Sequence, residues 1–162
     1  MAVTRTVPRF VLLSDLLSPD RIRVPLQSTD KEGLLSELVE LVTVDCDEQR
    51  RRSLLRAVRD REAVLSTGIG NGVAIPHGKS GALVELRLAA GVTADPVDFD
   101  ALDGAPVSLF FLLVGPESSA GHHVKALSRI SRLLRKDDLR RRLISARSSD
   151  EFIETLRELE GA

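Results

Sequence analysis

VSLFFLLV, Val107–Val114, is apolar at every position but Ser108. A continuous apolar run of strand length fits a strand buried on both faces, at the centre of a sheet. Upstream, DPVDFDALDGAPV is rich in turn residues. Before it, Val84, Leu86, Leu88, Ala90 and Val92 alternate with Glu85 and Arg87, the pattern of a half-buried strand. Downstream, GPESSAG reads as loop, and HHVKALSRISRLLRKDDLRRRLISA as one long helix or two joined ones. Ser148 with Glu151 opens a last helix, with Phe152, Leu156 and Leu159 on one face.

The first half of the chain is mainly helical. FVLLSDLLSPDRIRVPL breaks at Pro19 and Pro25, which predicts a short helical turn and then a strand. STDKEGLLSELVELVT predicts a helix with Thr29 and Glu32 as a capping box and Leu34, Leu35, Leu38, Leu41 and Val42 facing inward. A second helix runs from Asp47 to about Glu62. Leu54, Leu55 and Val58 face in, and Arg50, Arg51, Arg52, Arg56 and Arg59 face out. Strands alternating with helices predict an α/β class: a single domain with a mixed β-sheet flanked by helices on both faces. Residues 1–9 carry no period and are expected to be disordered or frayed, leaving 10–160 as the domain.

Composition excludes several function classes. The chain has 162 residues, within the range of one domain. Twenty-three basic against 24 acidic side chains give a net charge of -1, which argues against a nucleic-acid partner. A single cysteine, Cys46, rules out a disulfide framework and a cysteine-built zinc site. No apolar run is long enough to span a bilayer and no signal-peptide h-region precedes the domain, so a cytoplasmic protein without membrane insertion is expected. Trp and Tyr are absent, and there are only three histidines: His77, His122 and His123.

His77 lies in the stretch VLSTGIGNGVAIPHGKSG, whose glycines and proline exclude a helix and leave a loop with a short strand at Val73–Ile75. Gly68-Ile69-Gly70 begins like a dinucleotide fingerprint, but Val73 stands where its third glycine belongs. Gly78-Lys79-Ser80 ends like a phosphate-binding P-loop, but Val73 again replaces the earlier glycine and no helix follows. No nucleotide cofactor is expected. Pro76 stiffens the backbone before His77, and Gly78 is expected to leave the approach to it open. Spacing alone permits a surface-loop histidine without a role, or an imidazole held for another macromolecule.

His123 precedes Leu127, Ile130 and Leu134 by four, seven and eleven residues, which puts it on the apolar stripe of its helix. His122 is turned away from that stripe by about 100°. His123 is then a satisfied histidine at the core edge, or one that faces a cleft beside His77. A third metal ligand is not evident, so no metal is expected. The region after it is basic, with Arg129, Arg132, Arg135, Lys136 and Arg140 to Arg142. It reads as a solvated face or as a docking surface for an acidic partner.

REAVLSTGIGNGVAIPHGKSG resembles the phosphorylation-site signature of fructose/mannitol-type enzyme IIA domains of the bacterial phosphotransferase system. The similarity continues through DFDALDGAPVSLFFLLVGPE and HHVKALSRISRLL, from about Phe10 to Leu159. LSDLLSPDRIRV with DKEGLLSELVELV resembles the start of the nitrogen-regulatory branch, enzyme IIA-Ntr. Val124 and Ala126 stand where that family prefers leucines, and His122 is an extra histidine.

The resemblance implies that His77 accepts a phosphoryl group from a phosphohistidine HPr-like carrier. It implies that His123 orients or stabilises that group and that Arg61 supplies charge. Ser66, Thr67 and Gly78 would support or bind the phosphate. The implied role is a regulatory phosphorelay component. One alternative is a free-standing sugar IIA that passes phosphate to a separate IIB domain. Another is a protein-binding regulatory module that is not phosphorylated.

Overall fold

The structure is a computed structural model that describes residues 12–161. The segment expected to fray, residues 1–9, lies outside the described residues. The elements run α1 (Leu13–Leu16), a 3-10 turn (Pro19–Arg21), β1 (Ile22–Leu26), α2 (Lys31–Val42) and α3 (Glu48–Val64). Then come β2 (Gly68–Gly70), β3 (Val73–Ala74), β4 (His77–Lys79), β5 (Arg87–Val97) and β6 (Val107–Gly115). A second 3-10 turn (Glu117–Ser119) leads into α4 (Ala120–Leu133), α5 (Asp137–Ile144) and α6 (Ser149–Gly161).

VSLFFLLV forms β6, and β6 is central. The sheet order is β1-β5-β6-β3-β2, with β4 also paired to β6. β5 runs antiparallel to β6 and β2 to β3, whereas β1 runs parallel to β5 and both β3 and β4 run parallel to β6, so the sheet is mixed. Period two divides β6 between two cores. Leu109, Phe111 and Leu113 pack with Ile130, Leu143 and Phe152 under α4, α5 and α6. Phe110, Leu112 and Val114 pack with Leu34, Leu38, Leu54 and Val58 under α2 and α3. The α/β class and the helices on both faces are as the sequence predicts.

Several local readings change. The cap of α2 is Asp30, whose side chain accepts from Gly33 N at 2.7 Å, not Thr29, and Glu32 pairs instead with Arg59 at 2.8 Å. The strand expected from Val84 begins at Arg87, and Val84 is exposed. From Arg87 to Thr93 both faces are buried, so β5 is not half-buried there. Arg87 turns inward and forms a double contact with Asp45, at 2.6 and 3.0 Å. The long basic segment is two helices, α4 and α5.

The glycine-rich stretch is also more regular than a loop. Asn71 and Gly72 take φ of 58° and 76°, joining β2 to β3 as an antiparallel hairpin. Positive φ at two successive turn residues is what an Asn-Gly pair supplies. β3 and β4 then run along β6 as one broken strand, with Val73 opposite Leu109 and His77 opposite Leu113. The break falls at Ile75–Pro76, where proline has no N–H to donate.

One buried acid ties the first strand to its helix. The Glu37 carboxylate accepts from Gln27 N and Ser28 N at 2.9 Å each and from Arg23 at 3.0 Å. Burial opposes its charge, but these donors outweigh it and hold its pKa below the usual 4.5. A depressed folded pKa contributes stability above the unfolded value and loses it as pH falls through the folded value. Glu37→Gln is expected to cost about 2 kcal/mol in urea unfolding near neutral pH. The gap from the wild type should close as pH drops below 4.5.

Candidate functional site

The site grows from the last turns of α3. Leu54, Val58 and Glu62 lie four residues apart on the stripe that faces the core, and all three are buried. Glu62 is therefore a carboxylate where an apolar side chain would be usual. Its oxygens accept from Thr67 N at 3.0 Å, from Thr67 Oγ1 at 2.5 Å and from the Lys31 ammonium at 3.0 Å.

From Thr67 the constraint passes along the backbone. Ile75 N donates to Thr67 O at 3.0 Å. His77 Nδ1 lies 2.9 Å from Ile75 O. A carbonyl oxygen only accepts, so the network assigns the proton to Nδ1 and leaves the lone pair on Nε2. His77 is half-buried, at the start of β4 and beside the C-terminal end of β6. Ligands of α/β sheets commonly bind beyond the carboxyl ends of strands.

β6 leads through the 3-10 turn into α4, and His123 sits on the first turn of that helix. Its side chain is buried, and neither ring nitrogen meets a partner among the described residues. The His123 ring centroid is 5.8 Å from that of His77, with the planes at 59°. His122 is exposed. The helical register thus puts His123 on the buried face and His122 on the exposed one, and the His77 and His123 rings are neighbours.

Burial pushes the pKa of His77 below 6.5. The nearby charges of Arg61 and Lys79 push the same way, and the Ile75 hydrogen bond and Glu62 oppose them. Burial, with His77 and Lys79 nearby, takes His123 down to about 4. Both shifts favour the neutral ring at pH 7, and the positive charge of Lys79 acts on both.

The other expected residues divide. Arg61 is half-buried, donates to Leu65 O at 2.9 Å and acts electrostatically on His77. Ser66 Oγ donates to Phe99 O and accepts from Gly68 N, both at 3.1 Å. The hydroxyl protons of Ser66 and Thr67 are thus turned into the protein, where they hold the loop. Gly78 does not open the approach to His77. An added Cβ there would stand 3.1 Å from Val58 N, so this glycine lets α3 pack close behind the histidine.

Two site residues were missed. Lys79 is exposed, and its charge reaches both rings, but in sequence it read only as the end of a failed P-loop. Glu62 had a legible signal, an acid continuing the Leu54–Val58 stripe. Among the described residues, no group of three or more His, Cys, Asp or Glu could hold a metal ion. Nor is any helix of the described residues long and apolar enough to cross a membrane.

Comparison with known proteins bears on the family and the fold. Residues 15–159 match the family model described as phosphoenolpyruvate-dependent sugar phosphotransferase system, EIIA 2. The chain is 37% identical over 147 residues to the nitrogen regulatory protein of Bradyrhizobium diazoefficiens, covering 89% of this chain and 94% of that one. It is 34% identical over 144 residues to the fructose-specific EIIABC component of Bacillus subtilis. There it covers 89% of this chain but spans only 23% of that longer protein. The crystal structure of nitrogen regulatory protein IIA-Ntr from Neisseria meningitidis superposes with a TM-score of 0.80 at 31% identity, over 89% of this chain and 98% of that one. The chain therefore belongs to the EIIA 2 family of the phosphoenolpyruvate-dependent sugar phosphotransferase system.

Proposed function

We propose that this chain is a regulatory phosphorelay protein that takes a phosphoryl group onto His77 Nε2 from the phosphohistidine of an HPr-like carrier. The observation that carries the reading is His77 itself, with Nδ1–H tied to Ile75 O and Nε2 free beside the buried, unpartnered His123. The likeness to the nitrogen regulatory protein over nearly its whole length supports the regulatory branch.

The step balances without a proton acceptor. The Nε2 lone pair forms a bond to phosphorus, the carrier's P–N bond breaks, and its electron pair returns to the carrier imidazole. The His77 ring gains positive charge, and the Nδ1–H bond to Ile75 O strengthens as it does. Phosphoryl transfer depends chiefly on positioning and on charge placed around the moving oxygens. Arg61, Lys79, the His123 ring N–H and the first-turn N–H groups of α4 are the groups able to meet those oxygens. A phosphoryl group there also gives His123 the partner it lacks. A neutral His77 keeps its lone pair available at pH 7.

A second reading is favoured by the fructose-specific relative. In it, His77 passes its phosphate to the cysteine of a separate IIB domain, which would carry it to sugar. Transfer onward to a IIB protein separates that role from one in which the phosphate stops here.

Incubation with phosphoenolpyruvate, enzyme I and carrier, followed by mass mapping, is expected to find phosphate on His77 and none on His77→Ala. Label on the His77→Ala variant, or none on the wild type, overturns the assignment. His123→Ala should label at the same site about 10²-fold more slowly, as loss of one preorganised donor does, with its circular dichroism unchanged. Glu62→Gln should slow labelling by about tenfold or more through displacement of the loop. NMR titration should place the midpoint of His77 below 6.5 and that of His123 near 4.

A further inference from the structure

We infer that the solvent face of α4 is a docking surface for an acidic face of a protein partner, with its head at the phosphorylation site. This rests on the regulatory reading of His77. α4 contains no acidic residue. His122, Lys125 and Arg132 recur at spacings of three and seven residues, which puts them on one side of the helix. Arg135 and Lys136 extend the row through the turn into α5. All five are exposed, and among the described residues none of the four cations has an acid partner.

The contrast with α5 is direct. There Arg140 pairs with Asp137, Arg141 with Asp138 and Arg142 with Glu158. The basic segment thus holds three arginines of α5 and Arg129 of α4 that are paired with acids, beside a row of four exposed cations that are not, among the described residues. The unneutralised row runs roughly 20 Å from the first turn of α4, at 1.5 Å per residue. Lys79, whose charge reaches both His77 and His123, continues it to the site.

An acidic protein face fits this row better than nucleic acid does. The row is short and carries no Phe, Tyr or Trp for stacking bases. The chain as a whole has a net charge of -1, so a long polyanion would leave the row for surface that does not attract it. A phosphoryl group on His77 adds negative charge at the head of the row. It would weaken an acidic partner docked there by like-charge repulsion.

The test uses a fluorescein-labelled polyglutamate peptide and the full chain, read by fluorescence anisotropy at several salt concentrations. Wild type should bind with an affinity that falls as salt rises. Arg132→Glu combined with Arg135→Glu should lose about tenfold or more in affinity. Arg50→Glu combined with Arg56→Glu, at exposed arginines of α3 with the same change in net charge, should lose less than about threefold. Equal losses from the two pairs overturn the proposal, because net charge alone would then explain binding. Tighter row-dependent binding of duplex DNA or of phosphatidylserine vesicles overturns the assignment to a protein. The phosphorylated chain should bind the peptide more weakly, and unchanged binding removes the coupling. If His77 takes no label, the phosphorelay reading fails, and the unphosphorylated comparison still decides the docking face.

Discussion

The site depends on one carboxylate. Glu62 is the end of a chain of contacts that reaches the His77 ring through the backbone. It holds Thr67, Thr67 O receives Ile75 N, and Ile75 O receives His77 Nδ1. Each link removes a freedom that a glycine-rich segment would otherwise keep. The next residue back, Arg61, contributes positive charge to the same histidine. A single turn of α3 therefore fixes both the direction of Nε2 and part of the field around it. An uncompensated carboxylate at this depth would be costly, and Lys31 supplies the compensation.

The same device appears at two other places. Glu37 on α2 collects Gln27 N, Ser28 N and Arg23. Glu160 on α6 collects Leu13 N and Ser14 N at 2.7 and 2.8 Å, with Arg129 at 3.4 Å. In each case a helix presents an acid to backbone N–H groups without a strand or helix partner, in the loops at Gln27–Ser28 and Thr67 and on the first turn of α1 at Leu13 and Ser14. Buried backbone donors must be satisfied, and a carboxylate satisfies two at once while a cation limits its own desolvation cost. The two apolar cores hold helices against the sheet, and these three acids hold two loops and the start of α1 against the helices.

What the sequence made legible follows from period. β6 and the inward faces of α2, α3, α4 and α6 could be read because apolar residues repeat at two or at 3.6 positions. His123 was legible for the same reason, since register alone separates it from His122. Readings failed where one tertiary contact outweighed a local pattern. Arg87 alternates as a solvent-facing residue would, but Asp45 and Val42 O receive it inside. Thr29 has the spacing of a capping box, but Asp30 stands one residue closer to the helix. Gly78 looks like an opening beside a histidine until α3 is found packed against it. The Asn71–Gly72 turn was the exception, because its hairpin signal was local and went unread.

The burial of His123 has a consequence for the order of events. A neutral imidazole can serve as hydrogen-bond donor or acceptor, and its tautomer is set by whichever partner arrives. With neither nitrogen committed, His123 opposes no arrangement of the incoming group. A phosphoryl dianion beside it would favour the protonated ring and so raise the pKa that burial has lowered. Its binding and the protonation of His123 would then strengthen one another. On the proposed reading, burial favours the neutral form of both rings before transfer, the state in which a nucleophile retains its lone pair, and Lys79 adds positive charge that attracts an anion. Placing the second histidine on the first turn of a helix, and not on the loop, makes this possible. The loop must be held by Glu62, whereas the α4 ring is oriented by packing alone and its nitrogens stay free.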